Sequence, residues 1–313
     1  MATVHPPVDS RFDAATSHWS RWPVADLVEA KAGRRISVVI PARDEAATIG
    51  GIVEAIREDL VLKTPLVDEL VVIDSDSRDE TADIAADHGA KVYAAREIRP
   101  DLGSFPGKGE ALWKSLFVTG GDLLVFIDAD LTGWGTHFVT GLVGPLLADP
   151  RVELVKGYYD RVLDDGSGAQ APQGGRVTEL VARPLLNLFW PELAHVVQPL
   201  AGEWAIRRGV FAQLAVPVGY GVEMATLLDV YSRAGLPAVA QVDLGARAHT
   251  HQSVHDLGVM AAEIIAVAAR RGAGPVPDER VAQLWQFDRA ATPPWRSRKI
   301  PVQERPPAAQ MGA

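Results

Sequence analysis

Leu123-Leu124-Val125-Phe126-Ile127-Asp128-Ala129-Asp130 is the stretch on which the reading of this chain turns. Five consecutive large apolar residues suit a short strand buried on both faces, and the run stops abruptly on two carboxylates. The same grammar repeats towards the N-terminus. Ile36–Ile40 is a mostly β-branched run closed by Pro41, and Glu69–Ile73 leads into Asp74 and Asp76. Lys91–Ala94 supplies a further strand. Segments of helical spacing lie between: residues 45–59, with Ile49, Ile52, Val53 and Ile56 on one face, and 109–118, which Gly120-Gly121 would end. Ser77 and Glu80 have the spacing of a capping box for a helix that Gly89 would stop. Strands alternating with helices predict an α/β fold, with a mainly parallel central sheet and helices on both faces. Ligands of such sheets sit beyond the carboxyl ends of the strands, at a topological switch point. In this chain those ends carry acids.

The C-terminal half is less regular. Residues 163–175 form a glycine-rich loop, a helix is expected from Thr178 to Asn187, and 203–208 reads as a strand. Gly219-Tyr220-Gly221-Val222-Glu223 opens another helix; Val239–Leu244 is a strand and 256–271 an amphipathic helix. The chain thus divides into an N-terminal arm and short helix (1–35), a first half (36–135), a second half (136–271) and a proline-rich tail (272–313). Trp19 and Trp22 are placed to dock the arm, and the prolines after Gly272 predict a loose end.

Bulk composition excludes several partners. With 47% hydrophobic residues the chain of 313 can bury a substantial core, and a formal charge of −9 argues against nucleic acid or a polybasic membrane contact. No apolar run approaches the roughly 18 residues of a membrane span. There is no cysteine, so thiolate metal sites are impossible, and a cytoplasmic location is expected.

Two nucleotide motifs fail. Nothing like G-x-G-x-x-G follows the first strand. Gly103-Ser-Phe-Pro-Gly107-Lys108-Gly109 is one residue short of a P-loop and has Gly109 where a hydroxyl must reach Mg²⁺. Asp128 and Asp130 suit another task. Mg²⁺ or Mn²⁺ needs only one or two carboxylates when substrate phosphates complete its shell, so the pair can hold a nucleotide-sugar diphosphate through a divalent metal. If the strand Val239–Leu244 continues in extended form, Arg247, His249 and His251 share a face, and His249 can join Asp130 as a metal ligand. Lys108, ahead of a helix N-terminus, is placed to neutralise a leaving phosphate. Gly175, Arg176 and Thr178 offer a second anion site, which points to an acceptor bearing phosphate or carboxylate.

Several longer runs occur in order: Val-Val-Ile-Pro-Ala (38–42), Val-Ile-Asp-Ser (72–75), Pro-Gly-Lys-Gly-Glu-Ala-Leu-Trp (106–113), Phe-Ile-Asp-Ala-Asp (126–130), Gly-Gly-Arg-Val-Thr-Glu-Leu-Val-Ala-Arg-Pro-Leu-Leu (174–186), Gly-Tyr-Gly-Val-Glu (219–223) and Arg-Ala-His (247–249). Together they resemble the retaining glucosyl-3-phosphoglycerate synthases of actinobacteria and the related mannosyl enzymes, which have a GT-A fold. The resemblance implies transfer of glucose or mannose from UDP-glucose, GDP-glucose or GDP-mannose to 3-phosphoglycerate, by a homodimer. It implies that Pro41, Ala42, Arg43, Glu45, Ser75, Asp128 and Ala129 line the nucleotide-sugar pocket, with Lys108 on the diphosphate. Asp130 and His249 would hold the metal, making residues 36–135 the donor half. Glu223 would bind the sugar hydroxyls and act with Asp130 and Lys108 in catalysis. Gly175, Arg176, Thr178, Arg247 and His251 would take the acceptor, in the half 136–271.

Three positions depart from the family. Arg43-Asp44-Glu45 stands where Asn-Glu is usual, residues 131–136 differ, and His251 replaces an Asn that helps hold the acceptor. The base and the sugar therefore stay open. Without a carboxylate evidently placed as a covalent nucleophile, a front-face retaining mechanism is expected. The alternatives are an inverting polyprenyl-phosphate glycosyltransferase, a nucleotidyltransferase or a non-catalytic nucleotide-sugar-binding protein.

Overall fold

Ile36–Ala42 (β2) forms because its apolar residues have two faces to fill. Val38 and Ile40 point into one core, while Val39 points into the other. Leu123–Phe126 (β5) alternates the same way, with Val125 on the side of Val38 and with Leu124 and Phe126 on the side of Val39. Each large side chain so buried stabilises the fold by about 1.5–3 kcal/mol. The computed structural model describes residues 15–163, 175–249, 253–274, 283–287 and 295–313.

The remaining strands of the main sheet are Thr16–His18 (β1), Glu69–Asp74 (β3), Lys91–Ala94 (β4), Leu154–Leu163 (β6), Trp204–Arg207 (β7) and Val239–His249 (β9). Their order is β1-β9-β6-β7-β5-β2-β3-β4. All neighbours pair in parallel except β7, which runs against both β5 and β6. Helices cover both faces. Ile49–Ile56 (α2) and His137–Ala148 (α5) pack on the Val38 side, joined by Val24–Lys31 (α1) through Leu27. Lys108–Ser115 (α4), Arg183–Phe189 (α6) and Val222–Ala234 (α7) pack on the Val39 side. The α/β fold with a mainly parallel sheet is as expected.

The arm docks as the tryptophans predict. Trp22 lies so close over Gly144 that a Cβ there would meet its ring at 2.2 Å, and β1 adds an edge strand to β9.

Two expectations are corrected. Ser77 and Glu80 do not form a capping box: the helix Thr81–Asp87 (α3) starts later, and Ser77 instead accepts the Asp44 N–H at 3.0 Å. Asp79 takes the Thr81 N–H at 3.1 Å. Of the tail expected to be loose, the described residues 300–308 are not loose either. Glu304–Arg305 (β10) pairs antiparallel with Val216–Pro217 (β8), and Ile300, Val302 and Ala308 are buried. Prolines remove backbone donors but leave Arg305 free to make a buried ion pair with Glu110, which sequence composition does not reveal. Among the described residues no helix is long and apolar enough to cross a membrane.

Candidate active site

The switch point falls between β2 and β5, whose carboxyl ends deliver Pro41–Ala42 and Asp128–Asp130 to one crevice. Backbone bonds fix its floor: Ser75 N–H donates to Ala42 O at 2.9 Å, and Thr48 Oγ1 to Ala129 O at 2.6 Å. Glu45 N–H donates to Thr81 Oγ1 at 2.8 Å, and the Glu45 carboxyl lies within range of the charges of Asp130 and Asp128. Burial, then the charges of Asp130 and Asp128, push its pKa up to about 7. Arg43 is exposed. Asp74 is buried; one oxygen takes the Ser77 N–H at 3.3 Å and Oδ1 has no partner.

Lys108 is the first residue of α4, and its Nζ lies 2.5 Å from Asp128 Oδ1 and 2.7 Å from Glu223 Oε1. Glu223 comes from the first turn of α7. Glycine makes the approach possible: a Cβ on Gly109 would sit 1.8 Å from Pro217 O, and Gly107 has φ +136°. Burial alone would lower the Lys108 pKa, but Asp128 and Glu223 outweigh it and hold the pKa above the ordinary lysine value.

Arg247 closes the other side. Its NH2 reaches Asp130 Oδ1 at 2.7 Å; its NH1 reaches Glu203 Oε1 at 2.7 Å, Tyr159 Oη at 3.0 Å and Asp128 Oδ2 at 3.6 Å. Expected on the acceptor side, Arg247 is only 6% exposed and has committed its guanidinium to these partners. Burial, together with the charge of Asp128, raises the Glu203 pKa against the pull of Arg247, whereas Glu203, Tyr159, Asp128 and Asp130 outweigh burial and hold the Arg247 pKa above its ordinary value.

The strand β9 continues in extended form to His249, as the sharing of a face requires, although Gly245 at φ +84° interrupts it. The side chain of His249, and all of His251, lie outside the described residues. Asp130 has a side chain 44% exposed, so an oxygen donor does face the crevice. Among the described residues no three His, Asp or Glu side chains form a metal cluster. Gly175, Arg176 and Thr178 stand at the start of the helical segment 178–189; Arg176 is exposed and Thr178 buried.

Sequence reasoning missed Glu203, Tyr159, Lys156 and Gly202. Lys156 is 1% exposed, donates to Ala201 O at 2.7 Å, and burial pulls its pKa down to about 8. Gly202 lies against Asp128, where a Cβ would sit 2.1 Å from Oδ2. None of these residues belongs to a short recognisable pattern; only the folding back of β7 against β5 brings them in.

Residues 37–179 match the family described as glycosyl transferase family 2. Glucosyl-3-phosphoglycerate synthase of Mycolicibacterium paratuberculosis is 47% identical over 278 residues, covering 87% of this chain and 83% of the relative. The chain belongs to the glucosyl-3-phosphoglycerate synthase family. The synthase of Petrotoga mobilis is 46% identical over 250 residues, covering 79% of this chain and 77% of the relative. A crystal structure of the Mycobacterium tuberculosis synthase in complex with Mn²⁺, UDP-glucose and phosphoglyceric acid is similar with a TM-score of 0.84 and 42% identity. That likeness covers 95% of this chain and 98% of the other. Membership of the glucosyl-3-phosphoglycerate synthase family makes the chain a glycosyltransferase with the expected GT-A fold. It also favours that reading over a polyprenyl-phosphate enzyme or a non-catalytic binder.

Proposed function

We propose that this glycosyltransferase moves glucose from UDP-glucose to 3-phosphoglycerate, with retention at the anomeric carbon. The observation that carries it is Lys108 held between Asp128 and Glu223 at the switch point, a cation ready to exchange carboxylate partners for a departing diphosphate. The solved relative supports donor and acceptor, being a complex with UDP-glucose and phosphoglyceric acid.

The donor set suits a divalent metal. Asp130 offers a hard, half-exposed oxygen at the strand end, and substrate phosphates would complete the shell. Asp130 with His249 would hold Mn²⁺ or Mg²⁺, which supplies Lewis-acid stabilisation of the leaving group when bound. Pro41, Ala42, Arg43, Glu45, Ser75 and Ala129 form the nucleoside side, and Asp128 faces the ribose. Glu223, freed from Lys108 by the diphosphate, accepts hydrogen bonds from sugar hydroxyls. Gly175, Arg176, Thr178 and His251 receive the acceptor's phosphate and carboxylate, and Arg247 orients Asp130 from beneath. Front-face transfer is favoured because Glu203 is fully buried against Arg247 and Glu223 is taken up by the sugar hydroxyls, so neither presents a free nucleophile to the anomeric carbon. The enzyme acts in the cytoplasm as a homodimer in this reading.

A donor screen tests it. With 3-phosphoglycerate and Mn²⁺, UDP-glucose should release nucleoside diphosphate faster than GDP-glucose or GDP-mannose, and the product should keep the α-configuration by NMR. Asp130→Asn and His249→Ala should each remove metal-dependent turnover. Preference for GDP-mannose would overturn the sugar and base, and a glycosyl adduct trapped on Glu203 or Glu223 would overturn the front-face step.

A further inference from the structure

The C-terminal segment reaches the machinery that holds the donor. Arg305 is 7% exposed and forms a two-pronged pair with Glu110, at 2.7 and 2.5 Å. Its remaining N–H groups donate to Leu102 O at 2.8 Å and Gly103 O at 3.0 Å. The guanidinium carbon lies 4.6 Å from the Phe105 ring centre and 4.8 Å from that of Trp113. Glu110, 1% exposed, stands in the first turn of α4, two residues beyond Lys108. A second buried cation, Lys114, gathers carbonyls of the same loop: Arg99 O at 3.1 Å, Gly103 O at 2.9 Å, and Ile98 O.

The contacts close a ring. Gln303 O accepts the Val218 N–H at 3.2 Å; Val218 O accepts the Glu110 N–H at 2.9 Å and Gly219 O the Gly109 N–H at 3.2 Å. Pro306 O accepts from Trp113 Nε1 at 2.8 Å. Lys108 begins the helix inside this ring. The loop that feeds it is exposed over 103–106 and contains left-handed glycines, Gly103 at φ +67° and Gly107 at φ +136°. Such a loop does not hold a register by itself. A planar, five-donor guanidinium that takes a carboxylate and two carbonyls at once does.

We propose that Arg305 is a positioning residue for Lys108, fixing Glu110 and the 102–105 loop so that the lysine meets the donor's diphosphate. The C-terminal segment is on this account part of the donor site. The inference rests on the donor reading given above.

The test is a double-mutant cycle on the full chain, with UDP as the probe in calorimetry in the presence of Mn²⁺. Arg305→Lys and Glu110→Gln, each confirmed as folded by near-UV circular dichroism, should weaken UDP binding about tenfold. The KM for 3-phosphoglycerate should stay within about twofold. In a Lys108→Ala background the same substitutions should change UDP affinity by less than about twofold, because their effect runs through the lysine. A purely structural role would lower the melting temperature and leave UDP affinity in place; that result, or full additivity with Lys108→Ala, overturns the proposal. If Arg305→Lys does not fold, the near-isosteric Glu110→Gln carries the same comparison. Failure of the wild type to bind UDP would instead overturn the donor reading, and the inference with it.

Discussion

The Lys108 ammonium stands 2.7 Å from Glu223 Oε1, although the two residues come from the first turns of helices far apart in the chain. Neither helix holds the contact by itself. The turn Pro217–Gly219 lies between them, and glycines at 107 and 109 let the backbones meet there. A half-buried cation paired with two acids is held in its charged form and can exchange a carboxylate for a phosphate.

Lys108→Ala should therefore remove both a phosphate contact and the partner of a buried carboxylate. Turnover is expected to fall by about 10²–10³-fold. UDP affinity should fall with it, as calorimetry would show. Retained UDP affinity would mean that the lysine neutralises Glu223 and Asp128 without meeting the donor.

Arg247→Met strands Glu203, which is fully buried. An uncompensated buried charge costs about 3–5 kcal/mol, readable as a lower urea midpoint. Adding Glu203→Leu should restore most of that stability. Activity should not return, since Asp130 has then lost the guanidinium that orients it. Recovery of both together would show that the pair serves only the fold.

Gly202→Ala tests a residue outside every motif. The new Cβ would lie 2.1 Å from Asp128 Oδ2, so the carboxylate must move away from Lys108. Donor KM is expected to rise by about tenfold or more, with a small effect on acceptor KM. Equal effects on both would point to general disorder of the crevice.

Glu263, on Val254–Ala268 (α8), has its pKa raised to about 7, mainly by burial, and accepts the Tyr220 N–H at 2.5 Å. A carboxyl with a raised folded pKa binds more protons in the native state than in the unfolded one. Its contribution is thus fully present below the unfolded value of 4.5 and is lost as pH rises through about 7. Glu263→Gln keeps the acceptor oxygen and removes the titration. The fall in melting temperature between about pH 5 and about pH 8 should be smaller in the variant than in the wild type. An identical fall in both proteins would assign the pH dependence elsewhere, with Glu45 the next candidate.

The strands and the placement of Asp128 and Asp130 were legible because they rest on local rules. Alternating burial along Val38–Ile40 and Leu124–Phe126 is written in residue type, and a strand that ends on acids announces where a ligand can sit. Lys108 was legible for the same reason, as a cation between glycines at a helix start. The capping pair Ser77/Glu80 misled because Asp44 competes for Ser77 from another loop. Spacing along the chain cannot report a competitor across space.

Sequence alone thus determined the parallel sheet, the switch-point acids and the family. Only the tertiary structure decided which charges neutralise which. Arg247 finds Glu203 and Asp130 because β9 and β5 end where the antiparallel β7 begins, at one edge of the sheet, and Arg305 finds Glu110 because β10 pairs with β8. A buried charge must find an opposite charge wherever the chain brings one, so these partners follow from topology and leave no periodic mark in the sequence. Asp128 began as half of a common tripeptide; the fold makes it the acid that holds the lysine in place.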